Sequence, residues 1–421
     1  MRDLIIVGIV VVGALAALRR PWVGVMLWTW LSIMNPHRFT YGFAYDAPLA
    51  AVAAGSTLLG LVFTRERESP FKGAPPVWLA LFMVWITLSW LLGVDYVNDQ
   101  SQWEKVMKVF LMVLVGLALL RSKQHIFTLV WVAAGSLALL GLKGGIFTVA
   151  TGVAQLVNWI GWLILRPGGD YIDWVKANAA FENPWGMLSA HLALATLIPI
   201  SLALVLFVHR RLPGFLASVR PWFRWRYLGL SMGLALVVFN LFLFLQHLGQ
   251  PFPALQPQQN FWVFLVVILL TSPLQAAAEE FFFRGYLLQS FHTLAPRSPW
   301  FGVVCSAALF ALFHGTQNIP LFLDRFAFGV LVGVLVVKTG GLEAAIGAHV
   351  INNLLAFTYA GLASTIAQVK ATQVIGWVDF GWDVAGFGVY TVLAILIGRR
   401  MGLATTTPGV KKPDGVDPWE K

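Results

Sequence analysis

Residues 261–284 read FWVFLVVILLTSPLQAAAEEFFFR. Eighteen uncharged residues, Phe261 to Ala278, run straight into two glutamates, three phenylalanines and an arginine. Crossing the hydrocarbon of a bilayer takes about 20 apolar helical residues. The stretch therefore reads as a membrane helix with ionisable groups on it. Such groups cost about 2.5–3.5 kcal/mol each on insertion scales and mark function by default. Adjacent residues on a helix point about 100° apart, so only one of Glu279 and Glu280 can face a given pocket squarely. Glu280 and Arg284 are i,i+4 neighbours and can pair, which leaves Glu279 free to act as a base. Taken alone, the cluster could also be an ion pair at a helix end.

The rest of the 421-residue chain has the same character. Residues of the AVILMFWYC set make up 58% and charged residues 11%, against about 25% charged in soluble domains. That is too little charge to cover a water-facing surface. Apolar runs recur near 4–18, 21–34, 47–64, 75–94, 104–120, 125–142, 144–165, 186–208, 227–247, 261–291, 300–316, 322–338, 341–359 and 384–398. The period-2 alternation of a membrane barrel is absent. The expected fold is an all-α, polytopic membrane protein with about 12–14 membrane helices in two modules. The composition excludes a secreted enzyme, a disordered scaffold and a nucleic-acid-binding domain as readings of the whole chain. The net charge of +10 belongs to cytoplasmic loops, where Lys and Arg collect. The single Cys305 excludes a disulfide framework and a Cys-rich metal site.

Loop charge orients the C-terminal half. Residues 209–226 carry five arginines and no acid and should be cytoplasmic. Residues 248–260 are uncharged and should face outward. Arg297, Lys338, Arg399 and Arg400 then fall inside, and the functional residues are expected close to the cytoplasmic half of the bilayer. In the N-terminal half Arg65, Arg67, Arg121, Lys123 and Lys143 cannot all lie inside if every candidate crosses. A shift in composition at residues 166–185, RPGGDYIDWVKANAAFENPW, reads as a linker. It separates a module at 1–165 from a bundle at 186–400, and a polar cytoplasmic tail follows at 401–421.

Two further constellations lie on apolar helices. Phe310-Ala-Leu-Phe-His314 holds a histidine whose alternative reading is a packed core side chain. His349-Val-Ile-Asn-Asn353 places an imidazole and an amide on one helix face. Both can donate to an oxyanion; the alternative is hydrogen-bonded glue between helices. Together the three sets suit activation of a water molecule. Glu279 takes its proton, His314 orients or shares it, and His349 with Asn353 stabilises the oxyanion. His191 and Gly329-x3-Gly333 read as helix packing.

In this order, Glu279-Glu280-x3-Arg284, Phe310-x3-His314 and His349-x3-Asn353 resemble the motifs of the CPBP family of intramembrane endopeptidases, which includes the Ras-converting CAAX prenyl endopeptidase. The resemblance covers roughly residues 186–400. It implies hydrolysis of peptide bonds in membrane-associated proteins, with the lipid bilayer and a protein or peptide substrate as partners and no nucleic acid. The expected location is a bacterial inner membrane, with the C-terminal tail placed in the cytoplasm by the loop charges. Many members carry a metalloprotease label, and Glu279, His314 and His349 are a possible zinc set. The H-E-x-x-H pattern is missing and Asn353 suits an oxyanion hole, so the preferred reading requires no cofactor. Residues 1–152 resemble the start of the O-glycosylation ligases associated with exosortase systems, without the ligase core. Two other functions stand beside the endopeptidase: a non-catalytic binding or bacteriocin-immunity protein on the same scaffold, and an envelope glycan ligase fragment.

Overall fold

The computed structural model of the chain describes residues 2–40, 42–65, 67–93, 96–249, 251 and 253–407. Most of the polar tail expected at 401–421 therefore lies outside the described residues. The chain divides into two compact units, Met1–Gly144 and Gly145–Lys421.

The first unit is built on α1 (Arg2–Arg19), α2 (Pro21–Met34), α3 (Leu49–Phe63), α4 (Ala74–Leu91), α5 (Tyr96–Leu119) and the start of α6 (Lys123–Leu165). Its core is Val10, Leu27, Leu31, Leu49 and Ala53. The candidate spans 125–142 and 144–165 are one helix, α6, and the division between units falls inside it. A glycine costs only about 1 kcal/mol in a helix, far less than unsatisfied backbone groups cost in lipid. Gly144 and Gly145 therefore do not interrupt it, and Lys143 is a mid-helix residue with its ammonium 3.5 Å from the Phe39 ring centre.

The second unit continues with α7 (Tyr171–Ala179), α8 (Pro184–Ala195), α9 (Leu197–Ala203), α10 (Trp225–Gln246), α11 (Phe261–Glu280), α12 (Leu288–Leu294), α13 (Pro299–Phe313), α14 (Ile319–Thr339), α15 (Glu343–Ala363), α16 (Ile366–Ala371) and α17 (Trp377–Arg400). Residues 145–185 belong to this unit: Trp185 Nε1 donates to Val157 O at 2.7 Å and Asn178 Nδ2 to Asn158 Oδ1 at 2.8 Å. The segment 166–185 thus includes the helix α7 and packs against the end of α6, because its tryptophan and asparagine find buried partners there.

Among the described residues eight helical runs are long and apolar enough to cross a membrane, and α2, α3 and α13 are shorter apolar helices. No strand occurs among those residues, only an isolated bridge between Ser218 and Gly341. The chain is a polytopic all-α membrane protein. Close packing in the second unit uses small residues, as helix pairs in lipid do. A Cβ at Gly329 would meet that of Ala307 at 2.8 Å, and one at Gly333 would meet Val303 at 2.8 Å, so this spacing seats α14 on α13. His191 is buried and its Nδ1 bonds Thr271 Oγ1 at 2.8 Å, tying α8 to α11.

Candidate active site

The run that contains α11 passes through a π-helical segment, Phe281–Leu287, before α12. Such π segments often mark functional positions. The two carboxylates close α11 and Arg284 sits inside the π segment. α15 runs antiparallel to α11 and supplies His349 and Asn353, while His314 caps the C-terminal end of α13.

Glu280 and Arg284 are buried, at 0% and 1% exposure. Arg284 Nη1 donates to Glu280 Oε1 at 3.0 Å. The same oxygen is 2.8 Å from His349 Nδ1. Charged and ring nitrogens therefore converge on one carboxylate oxygen, which fixes the imidazole and directs its other nitrogen. That nitrogen, Nε2, is 3.8 Å from Glu279 Oε2. The gap is too long for a direct hydrogen bond, and one small oxygen can touch both sides of it. The guanidinium also stacks over aromatic faces, with its carbon 4.2 Å from the centre of Phe310 and 5.5 Å from that of Phe328. Among the described residues Arg284 Nε and Nη2 have no hydrogen-bond partner, and these faces take up part of that charge.

Glu279 is held from the next turn. Gln275 Nε2 donates to Glu279 Oε1 at 2.7 Å, and Asn353 Nδ2 donates to Gln275 Oε1 at 2.9 Å. Gln275 was not among the residues singled out from the sequence. The signal that could have found it is its i,i+4 spacing to Glu279 on an apolar helix. His314 Nδ1 lies 2.7 Å from Phe310 O and so donates to it, leaving Nε2 as an acceptor. The Phe310 ring is 4.5 Å from the His314 ring and 6.1 Å from the His349 ring, so both imidazoles flank one phenyl group. Glu279 and His349 also lie within electrostatic range of His314.

All six residues are thus gathered on α11, the π segment, α13 and α15. Glu280, Arg284 and His349 form one hydrogen-bonded set, Glu279 and Asn353 are joined through Gln275, and His314 stands across Phe310 from His349. Among the described residues no group of three His, Cys, Asp or Glu side chains has the spacing of a metal-ligand set.

Residues 258–355 match the family model described as type II CAAX prenyl endopeptidase Rce1-like. The matched region is CAAX-endopeptidase-like. It contains all six residues of the site. Residues 1–155 match a family of unknown function, DUF5935. The uncharacterised protein YyaK of Bacillus subtilis (strain 168) is 32% identical over 99 residues, which cover 22% of this chain and 32% of that protein. The chain thus spans about a third of that relative's length. No solved structure matches the chain.

Proposed function

We propose that the second unit is an intramembrane endopeptidase that hydrolyses membrane-associated polypeptides with a water activated by Glu279. The observation that carries this reading is the facing pair Glu279 Oε2 and His349 Nε2, 3.8 Å apart within the CAAX-endopeptidase-like region. Glu279 has an oxygen free to take a proton because its other oxygen is occupied by Gln275. His314 Nε2 is the second acceptor for the attacking water.

The water oxygen bonds to the carbonyl carbon of the scissile peptide while Glu279 takes a water proton. The carbonyl oxygen becomes an oxyanion. Asn353 Nδ2 keeps one N–H beyond the one given to Gln275, and in its imidazolium form His349 has an N–H on each nitrogen, one for Glu280 and one for the oxyanion. Such donors are worth about 10²–10³-fold each in kcat. The C–N bond then breaks, the proton on Glu279 passes to the departing amine, and a carboxyl product remains. Glu280 and Arg284 position His349 and touch no reacting atom. No step in this scheme is routed through a metal.

The test uses the purified full-length chain in lipid, beside its Glu279→Gln variant, acting on a library of membrane proteins. New termini formed by the parent and missing with the variant support the reading. Identical termini with both proteins, or none with either, reject it.

A further inference from the structure

Hydrogen bonds and ring contacts sort the loops of the second unit into two ends. At one end Val219 N donates to Gly340 O at 2.9 Å, Arg224 Nη1 donates to Thr339 O and Ala404 O, and Lys338 Nζ lies 5.7 Å from the Trp300 ring centre. This end gathers residues 209–226, 295–299, 338–342 and 399–404, which hold nine Lys and Arg and no acid. At the other end Gln256 N donates to Leu362 O at 2.7 Å, Gln246 Nε2 to Asp379 Oδ1 at 3.0 Å, and Asn318 Nδ2 to Ile375 O at 2.8 Å. Residues 253–260, 314–318 and 364–376 meet there and hold one Lys or Arg, Lys370. The asymmetry is that of a cytoplasmic and a non-cytoplasmic face.

The catalytic groups are layered between these ends. α11 runs from the basic-poor end toward the basic end, and α15 runs back. Gln275 and Asn353 therefore form the layer nearest the basic-poor end. Glu279 and His349 come next, and Arg284 lies deepest toward the basic end. Gln275, Glu279 and His349 are all buried, and the contrast in exposure lies between the two extremes. Arg284 and Glu280 are at 1% and 0%, closed off by Phe283, Phe310 and Phe328. Asn353 is half-buried and His314 is exposed. α13 has only 15 residues and stops at His314, so the hairpin tip 314–318 sits at the level of the site. That tip is tied to residues 372–376 of the basic-poor end. The aromatic wall thus faces the cytoplasm and the open side faces away from it.

We propose that the site opens on the non-cytoplasmic face of the membrane, and that its substrates are membrane-anchored polypeptides whose scissile bond lies in a segment emerging on that face. This departs from the cytoplasmic half that loop charges alone suggest, because the charges fix which end is inside but not which end of the site is walled. The substrate class rests on the endopeptidase reading; the direction of opening does not.

The experiment labels the full-length chain, with Cys305→Ser as background, in intact cells with a membrane-impermeant maleimide. Thr316→Cys and Thr372→Cys report the open side; Arg297→Cys and Arg399→Cys report the basic end. All four positions are exposed and outside the catalytic set. The expected result is labelling of the two threonine variants at least tenfold faster than the two arginine variants, which label only after permeabilisation. The reverse pattern, or a Thr316→Cys variant that labels from neither side, overturns the proposal. A second arm follows cleavage of a membrane-anchored peptide in sealed proteoliposomes of known protein orientation. Outward labelling with no cleavage in any orientation keeps the opening and removes the endopeptidase reading. Cleavage only of segments presented on the side of residues 209–226 keeps that reading and overturns this proposal.

Discussion

Glu280 Oε1 lies 2.8 Å from His349 Nδ1 while it accepts from Arg284 at 3.0 Å. One carboxylate oxygen therefore both neutralises a buried guanidinium and orients the imidazole of another helix. Removing it should hurt twice. Glu280→Ala leaves Arg284 charged, unpaired and 1% exposed, and breaking a buried pair this way costs about 3–5 kcal/mol. A thermal melt of the purified variant in detergent should fall clearly below the parent. Glu280→Gln keeps an acceptor oxygen but loses the charge, so it should melt between the two and show low activity. A Glu280→Ala protein that melts with the parent would mean that the cation is satisfied elsewhere.

Glu279 presents the opposite case. It is 8% exposed, has one oxygen on Gln275 and, among the described residues, pairs with no arginine. Glu279→Gln should leave the melt within about 0.5 kcal/mol of the parent, as for substitutions that remove no buried partner. Loss of a general base should lower kcat by about 10²–10⁴-fold. If Glu279→Gln cleaves normally and a well-folded Glu280→Gln is inactive, the roles are reversed.

The membrane class and the three motifs were legible in the sequence, because hydropathy and helical spacing are local quantities. Pairing of Glu280 with Arg284 follows from i,i+4 spacing in the same way. The attachment of His349 to Glu280 was not legible, since it depends on the register of α11 against α15, which no local pattern encodes. The merging of 125–142 and 144–165 into one helix was hidden because two adjacent glycines and a lysine imitate a loop. The inclusion of residues 166–185 in the second unit was hidden for a similar reason. Gly and Pro suggest a linker, while the contacts of Asn178 and Trp185 are long-range.

Gln275 shows how a missing signal can still matter. It links Asn353 on α15 to Glu279 on α11 through two hydrogen bonds. Gln275→Ala should release both partners without touching the reacting atoms. A hydrogen bond is worth about 0.5–1.5 kcal/mol between neutral groups and about 1.5–3 kcal/mol to a charged one, so the expected loss is roughly tenfold or more in kcat with KM close to that of the parent. A rise in KM at unchanged kcat would instead make Gln275 a substrate contact.

Chelation separates the two chemistries that a Glu/His/His inventory allows. A zinc ion needs its ligands at about 2.0–2.3 Å around one point. Glu279 Oε2 and His349 Nε2, 3.8 Å apart, are close enough to share one ion, but among the described residues His314 does not complete a set of three with them. Asn353 keeps an amide N–H that suits an oxyanion better. Incubation with 1,10-phenanthroline, followed by desalting, should leave the cleavage rate unchanged. Loss of activity that added zinc restores would put a metal at this site.

The boundary between the units sets the last expectation. A chain beginning at Gly145 keeps the end of α6 and with it the bonds of Asn158 and Val157 to Asn178 and Trp185. A chain beginning at Ala179 keeps all six site residues but loses those bonds. It also uncovers Gly161's seat against the Trp185 ring, where a Cβ would collide with the indole. In lipid such contacts are not replaced by a hydrophobic driving force, because the acyl chains are as apolar as the side chains. The longer chain should therefore insert, elute as a single species and retain the parent's cleavage rate per molecule. The shorter one should insert but melt lower, with activity lost in proportion to its unfolded fraction. Loss of activity in a monodisperse chain beginning at Gly145 would show that Met1–Gly144 contributes to catalysis. Equal melts for the two truncated chains would show that residues 145–178 add nothing to the stability of the second unit.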